Sequence, residues 1–184
     1  HSQTKTVRLS EQSIVINLPL GEKVDIATHK EVTITTTNLD GGEEAADLDI
    51  RVQALIQPKQ VFIERFWQKP DQYLMGENDF RKRFPFYAYK DEDQKKNWQK
   101  GVLAINRKVS SNGSSQLSLE SLKAGYYLIT IEAKDEKGRS VQIEKVVGFY
   151  DSEKQIPLPD EHLSVTFSKN SAEPEENINI QVAS

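Results

Sequence analysis

The sequence predicts an all-β fold, an antiparallel β-sandwich, on three observations. Apolar and polar residues alternate with period two along most of the chain. β-branched residues crowd several of those runs, and Asn, Asp and Gly clusters separate them at short intervals. A pleated strand sends successive side chains to opposite faces, so such alternation specifies one buried and one wet face. At 184 residues the chain has room for one generous domain, or for one domain and part of another.

The elements follow in order. Val7-Arg8-Leu9 leads into Ser13-Ile14-Val15-Ile16-Asn17-Leu18, which Pro19 breaks. Val32 to Thr37 is β-branched throughout and ends at Asn38-Leu39-Asp40-Gly41-Gly42, where glycine supplies the positive φ of a turn. Leu48 to Leu55 alternates cleanly. After a long interruption, Val102 to Val109 resumes the pattern, Ser111-Asn112-Gly113 marks a turn, and Leu117, Leu119 and Leu122 are spaced like a short strand entering a corner. Gly125 to Ala133 is the clearest strand, joined through Asp135-Glu136-Lys137-Gly138-Arg139 to Val141–Val147. About seven or eight strands therefore precede Tyr150, as a sandwich requires. The expected organisation is a sandwich over 1–150, a stiff linker over 151–161 carrying Pro157 and Pro159, and the opening strands of an incomplete second domain over 162–184.

The interruption, from about 61 to 100, holds both tryptophans and most of the phenylalanines. Within it Glu77-Asn78-Asp79-Phe80-Arg81-Lys82-Arg83-Phe84-Pro85 predicts a short helix. Acids open it and bases close it, complementing the helix dipole, Phe80 and Phe84 share a face, and Pro85 stops it. So many aromatics predict a folded subelement with its own small core against one sheet. Trp67, Tyr73, Tyr87, Tyr89 and Trp98 are the candidates for a contact surface.

Residues for chemistry are sparse. There is no cysteine, which removes disulfides, thiol nucleophiles, thioesters and cysteine-based metal sites from this segment. His1, His29 and His162 are far apart and in polar surroundings, so no nucleophile–base pair suggests itself. The acidic loops Asp91-Glu92-Asp93 and Asp40-Gly41-Gly42-Glu43-Glu44 lack the ligand spacing of a calcium loop. No phosphate loop or dinucleotide fingerprint occurs. A net charge of −4 argues against a nucleic-acid partner, and no apolar run reaches the length of a membrane span. The expectation is a non-catalytic chain with no catalytic, cofactor or metal residues. The opening His1-Ser2-Gln3-Thr4, without an initiator Met or a signal pattern, is read as the trace of a removed leader or upstream region.

Several stretches resemble the α2-macroglobulin-like proteins of Bacteroidetes-type bacteria. Thr35 to Gly41 is similar to the family's strand ending in an Asn-Leu-Asn/Asp-Gly turn. Arg65-Phe66-Trp67-Gln68-Lys69-Pro70-Asp71 and Phe80-Arg81-Lys82-Arg83-Phe84-Pro85 resemble its Trp-x-x-Pro-Asp and Phe-Arg-Lys-x-Phe-Pro pair. Trp98-Gln99-Lys100-Gly101 resembles the Trp-x-Lys-Gly that returns the chain to the sandwich, and Gly125-Tyr126-Tyr127 its late strands. Pro157-Leu158-Pro159 and Glu173-Pro174-Glu175-Glu176 are similar to the linker and the Pro-Gly-Glu opening of the next domain, with Glu175 where the family has Gly. The likeness runs from about Ile34 to the C-terminus. It implies an immunoglobulin/fibronectin III-like macroglobulin domain of a large periplasmic or cell-surface protein, with its targeting signal outside this segment. Such parents act as protease-trapping inhibitors, so the partners implied are neighbouring macroglobulin domains and, through the parent, proteases.

A scaffold module predicts that most of the insertion aromatics are buried. The alternative, a carbohydrate- or protein-binding sandwich of a bacterial surface system, predicts two or three coplanar exposed rings, such as Trp67, Tyr87 and Trp98. A calcium-dependent adhesin domain is a third reading, resting on the acidic loops.

Overall fold

In a computed structural model, which describes residues 14–134, 138–154, 156, 158, 164–167, 169, 171–178 and 180–183, the alternating runs pair into two facing sheets. The fold is mostly β, with one short α-helix and the layering of a β-sandwich. β1 (Val15–Asn17), β3 (Glu31–Thr37) and β6 (Ser114–Ser118) form a three-stranded sheet in the order β1-β3-β6. β2 (Lys23–Asp25), β8 (Ser140–Tyr150), β7 (Gly125–Lys134), β4 (Ala45–Ile56) and β5 (Gln99–Asn112) form a five-stranded sheet in the order β2-β8-β7-β4-β5. The pairings are antiparallel except β2 with β8, which is parallel.

Alternation explains the core. Val32, Ile34 and Thr36 of β3 point inward, as do Leu48, Ile50 and Val52 of β4, Ile129, Ile131 and Ala133 of β7, and Val147 and Phe149 of β8. Side chains from both sheets meet in one apolar cluster, with Leu117 and Leu119 closing it at β6. Thr36, the polar member, is fully buried, and its hydroxyl donates to Glu44 O at 2.6 Å, so the burial leaves it satisfied. At the edge of the sandwich Arg107 Nη1 donates to Gln116 O at 2.9 Å, tying β5 to the opposite sheet. The Asn38 turn closes as its residues predict: the Asn38 side-chain oxygen accepts from the N–H of Asp40 (3.0 Å) and of Gly42 (2.9 Å), and Gly41 takes φ +84°.

Three features differ from the sequence reading. β2 is a strand that alternation does not announce. It is three residues long, pairs with a strand over a hundred residues away, and is pinned there by buried Asp25, whose carboxylate accepts from Ala27 N, Ser152 N and Ser152 Oγ. The insertion runs 57–98, not 61–100, because β4 continues to Ile56 and β5 begins at Gln99. The stretch after Tyr150 starts as a closed turn: Asp151 and Ile156 exchange backbone hydrogen bonds of 3.1 and 2.9 Å, and Leu158 is buried on the outer face of the five-stranded sheet. Gly148 makes that docking possible, since a Cβ there would stand 2.7 Å from both Leu158 Cδ1 and Tyr126 Cε1.

β9 (Ser164–Phe167) and β10 (Ile180–Ala183) pair with each other as a separate antiparallel sheet. The expected strand at 7–9, the hairpin residues 135–137, and Pro157, Pro159, His1 and His162 lie outside the described residues.

Candidate functional site

The outer face of the five-stranded sheet has two halves. One is polar. Asp47, Asp49, Lys108, Ser110, Glu132 and Lys134 line a shallow groove of about 400 Å³, and its charges are largely paired across strands: Lys108 reaches Asp49 at 3.6 Å, Arg51 reaches Glu132 at 3.9 Å, and Ser110 donates to Asp47 at 2.5 Å. The other half is apolar, with Leu55, Tyr126 and Leu128, and Trp98 of the insertion and Leu158 pack on it.

Trp98 is the clamp. It precedes β5, is 9% exposed, and packs edge-on to Tyr126 at 5.4 Å between ring centroids. Its indole N–H donates to Glu92 O at 3.0 Å, which meets the need of a buried Trp for a polar partner. The Lys95 ammonium lies over the Tyr126 ring at 4.8 Å, adding a cation–π contact at the rim.

The helix α1 (Glu77–Arg83) forms where its end charges and Pro85 predict, with Phe84 N donating to Phe80 O at 2.8 Å at its end. Phe80 and Phe84 stack one turn apart at 5.2 Å. From them a chain of ring contacts runs two ways: through Tyr89 (5.4 Å) to Tyr73 (4.5 Å), and through Tyr87 (6.4 Å) to Trp67 (4.8 Å). The irregular backbone around the rings is braced by side chains. Arg65 donates to Ala88 O and, at 3.2 Å, to Tyr89 O, while its guanidinium lies 5.1 Å over Phe80. Tyr89 Oη donates to Met75 O at 2.8 Å, and Ile63 N donates to Phe86 O at 2.9 Å, so segments 63–67 and 84–89 lie side by side.

Ion pairs complete the bracing. Arg81 bridges Glu77 and Glu92 at 2.7 Å each, and its hydrogen bond to Glu77 holds its guanidinium above the ordinary pKa. Lys69 meets Asp91 at 2.5 Å, and that hydrogen bond holds the Asp91 carboxyl below the usual aspartate range. The first acidic loop is thus engaged by bases: Asp91 and Asp93 by Lys69, and Glu92 by Arg81 and the Lys90 N–H. Among the described residues no three His, Asp or Glu side chains converge to hold a metal ion.

The expectation that most insertion aromatics are buried fails, since only Tyr89 and Trp98 of the ten are buried, and the five candidate contact residues separate accordingly. Trp98 and Tyr89 are buried, because one closes the insertion onto the sheet and the other sits at the centre of the ring chain, so neither belongs to an open surface. Tyr87 is half-buried. Trp67 (43% exposed) and Tyr73 are open. The most open apolar side chains of the insertion are Phe66 (92%), Leu74 (97%) and Phe86 (52%), none of them among those five candidates. Their only sequence signal is placement beside motif residues instead of in phase with a helix or strand.

The fold and surface define a β-sandwich protein with an aromatic subelement clamped to the five-stranded sheet by Trp98 and leaving Phe66, Trp67, Tyr73 and Phe86 exposed. No family model matches the chain, and no curated protein is significantly similar to it. No helix among the described residues is long and apolar enough to cross a membrane.

Proposed function

We propose that the chain is a non-catalytic interaction module of a larger extracytoplasmic protein of the α2-macroglobulin-like kind, and that it meets its partner through the open side of the insertion. The observation that carries this reading is the asymmetry of the insertion. Trp98 fixes it to a rigid sheet, while Phe66, Trp67, Phe84 and Phe86 are exposed, with Trp67 and Phe84 in contact at 6.1 Å. Exposed large aromatics held on a rigid frame are the usual anchors of protein interfaces. The parent would act as a protease-trapping inhibitor, with this module as scaffold and contact surface.

Two local features support the finer fold assignment. Lys123 N donates to Tyr127 Oη at 3.3 Å near the start of β7, the arrangement of the tyrosine corner in immunoglobulin-like sandwiches. In the turn after the docked linker, Glu175 follows Pro174 with φ +74°, and Glu176 N donates to Glu173 O at 3.1 Å. That is the conformation in which glycine is favoured, and glycine is the residue the resembled Pro-Gly-Glu opening has there.

The carbohydrate reading needs coplanar rings. Trp67 is tilted 46° from Tyr87 and 59° from Phe84, and Trp98 is buried, so these rings offer a notch and no flat platform. Hydroxyl-radical footprinting of the chain alone and within its parent, with and without a protease, tests the proposal. Phe66, Trp67, Phe84 and Phe86 are expected to lose reactivity on engagement. Unchanged reactivity at all four, or saturable quenching of Trp67 by a glycan, would count against it.

A further inference from the structure

Two parts of the chain that are remote in sequence dock on one side chain of the sheet. Tyr126 of β7 lies opposite Gly148 of β8. Trp98, at the end of the insertion, meets the Tyr126 ring edge-on at 5.4 Å. Leu158, beyond the end of β8, meets the same ring over Gly148: Leu158 Cδ1 and Tyr126 Cε1 both stand 2.7 Å from the point that a Cβ of residue 148 would occupy. All three side chains are buried, in one apolar cluster with Leu55 and Leu128.

We infer that the insertion and the stretch after Tyr150 are coupled through Tyr126, so that each holds the other closed. Away from Tyr126 each segment has its own bracing. Arg65 and Tyr89 tie the insertion to itself, while the Asp151–Ile156 bonds and Ser152 N, which donates to Asp25 at 3.1 Å, tie the second segment. Each is therefore a unit that can open locally, and the Tyr126 ring is where the two units meet. Because residue 148 has no side chain, Leu158 and Tyr126 jointly fill the space above it. Without Leu158 the ring has room to turn into that space, since a packed interior does not keep a void where a neighbour can move, and its edge then leaves Trp98. Loss of Trp98 frees the same ring from the other contact and loosens the seat of Leu158. A partner engaging the insertion would thereby change how firmly the chain beyond Tyr150 is held. The coupling itself rests on this packing and not on the interaction-module reading.

Amide exchange of the whole chain tests the coupling. The reporters are hydrogen-bonded N–H groups: Gln94, Asn97 and Trp98 beside the clamp, and Asp151, Lys154 and Ile156 in the second segment. In Leu158→Ala the first set is expected to exchange about tenfold faster, a typical size for coupling between sites. In Trp98→Ala the second set should accelerate by the same factor, because coupling between two equilibria is reciprocal. Ile34→Val, which loosens the core at the other sheet, separates coupling from general destabilisation and should leave both sets within about twofold of wild type. Adding Leu158→Ala to Tyr126→Ala should change nothing further at the first set, since the ring that carries the effect is gone. Unchanged exchange at Gln94, Asn97 and Trp98 in Leu158→Ala, or an acceleration that Ile34→Val matches, would overturn the coupling. Further acceleration on the Tyr126→Ala background would overturn Tyr126 as its carrier. If Trp98→Ala or Tyr126→Ala does not fold, Leu158→Ala against Ile34→Val still decides.

Discussion

The sandwich interior and the insertion are both rich in large apolar side chains, yet they bury them to different degrees. Between the sheets, Ile34, Ile50, Val52, Ile129, Ile131 and Phe149 are wholly excluded from water. In the insertion, Trp98 and Tyr89 are buried, but Phe66, Trp67, Phe84 and Phe86 are open. The difference lies in the backbone. A strand sorts its side chains by period, so two facing sheets close over one set of alternate residues. An irregular segment has no such period, and its carbonyls must find donors one by one. Here Arg65, Tyr89 and Trp98 supply those donors to Ala88, Met75 and Glu92, and the aromatics that lie beyond these braces stay outside. The core is made by alternation and the insertion by individual bonds.

This contrast can be broken by mutation, and the largest effect is expected in the interior. Ile129→Ala should cost about 3 kcal/mol, read as a lower urea midpoint at unchanged slope, because it opens a cavity between packed sheets. Phe66→Ala removes a larger side chain and should stay within about 0.5 kcal/mol of wild type, because that ring is already in water. Comparable losses from the two would erase the distinction.

Gly148→Ala is expected to be next in size. Its Cβ would enter the space of Leu158 and Tyr126, 2.7 Å from each, and overpacking of this kind costs roughly 1–3 kcal/mol. Protease cleavage after Tyr150 should rise with it, since the added methyl displaces Leu158. Unaltered cleavage would mean that the Leu158 docking does not hold that stretch.

A smaller, pH-dependent effect should appear in the insertion. The Lys69 hydrogen bond lowers the Asp91 pKa in the folded chain. A carboxyl depressed in this way contributes stability that is full above its unfolded value, about 3.9, and is lost as pH falls through the folded value. Amide exchange in residues 57–98 should therefore accelerate more than in β7 as pH drops below about 4, after correction for intrinsic rates. In Lys69→Met that added acceleration should disappear. Its persistence would assign the acid sensitivity elsewhere.

Much of this was legible in the sequence. Alternation marked β3, β4, β7 and β8, and the acids and bases flanking Phe80 and Phe84 marked α1, because in each case neighbouring residues specify the local conformation. β2 was not legible, since three residues carry no period and its partner β8 is remote in sequence. Leu158 was hidden by its prolines, which suggest a linker, although one buried leucine is enough to dock the stretch. The aromatic insertion was evident from composition, but not which rings face water. Trp98 lies beside a strand start and takes its burial from β5's neighbours, whereas Trp67 sits in backbone whose course depends on long-range bonds from Arg65 and Ile63.

The two tryptophans give the most direct measurement. The insertion is clamped to the sheet at Trp98 and exposed to water at Trp67. In Trp67→Phe, where Trp98 alone emits, fluorescence should be blue-shifted and weakly quenched by acrylamide. In Trp98→Phe, where Trp67 alone emits, it should be red-shifted and readily quenched, with the sandwich still folded by its amide exchange. Equal quenching of the two, or a protected Trp67 with an accessible Trp98, would contradict the account.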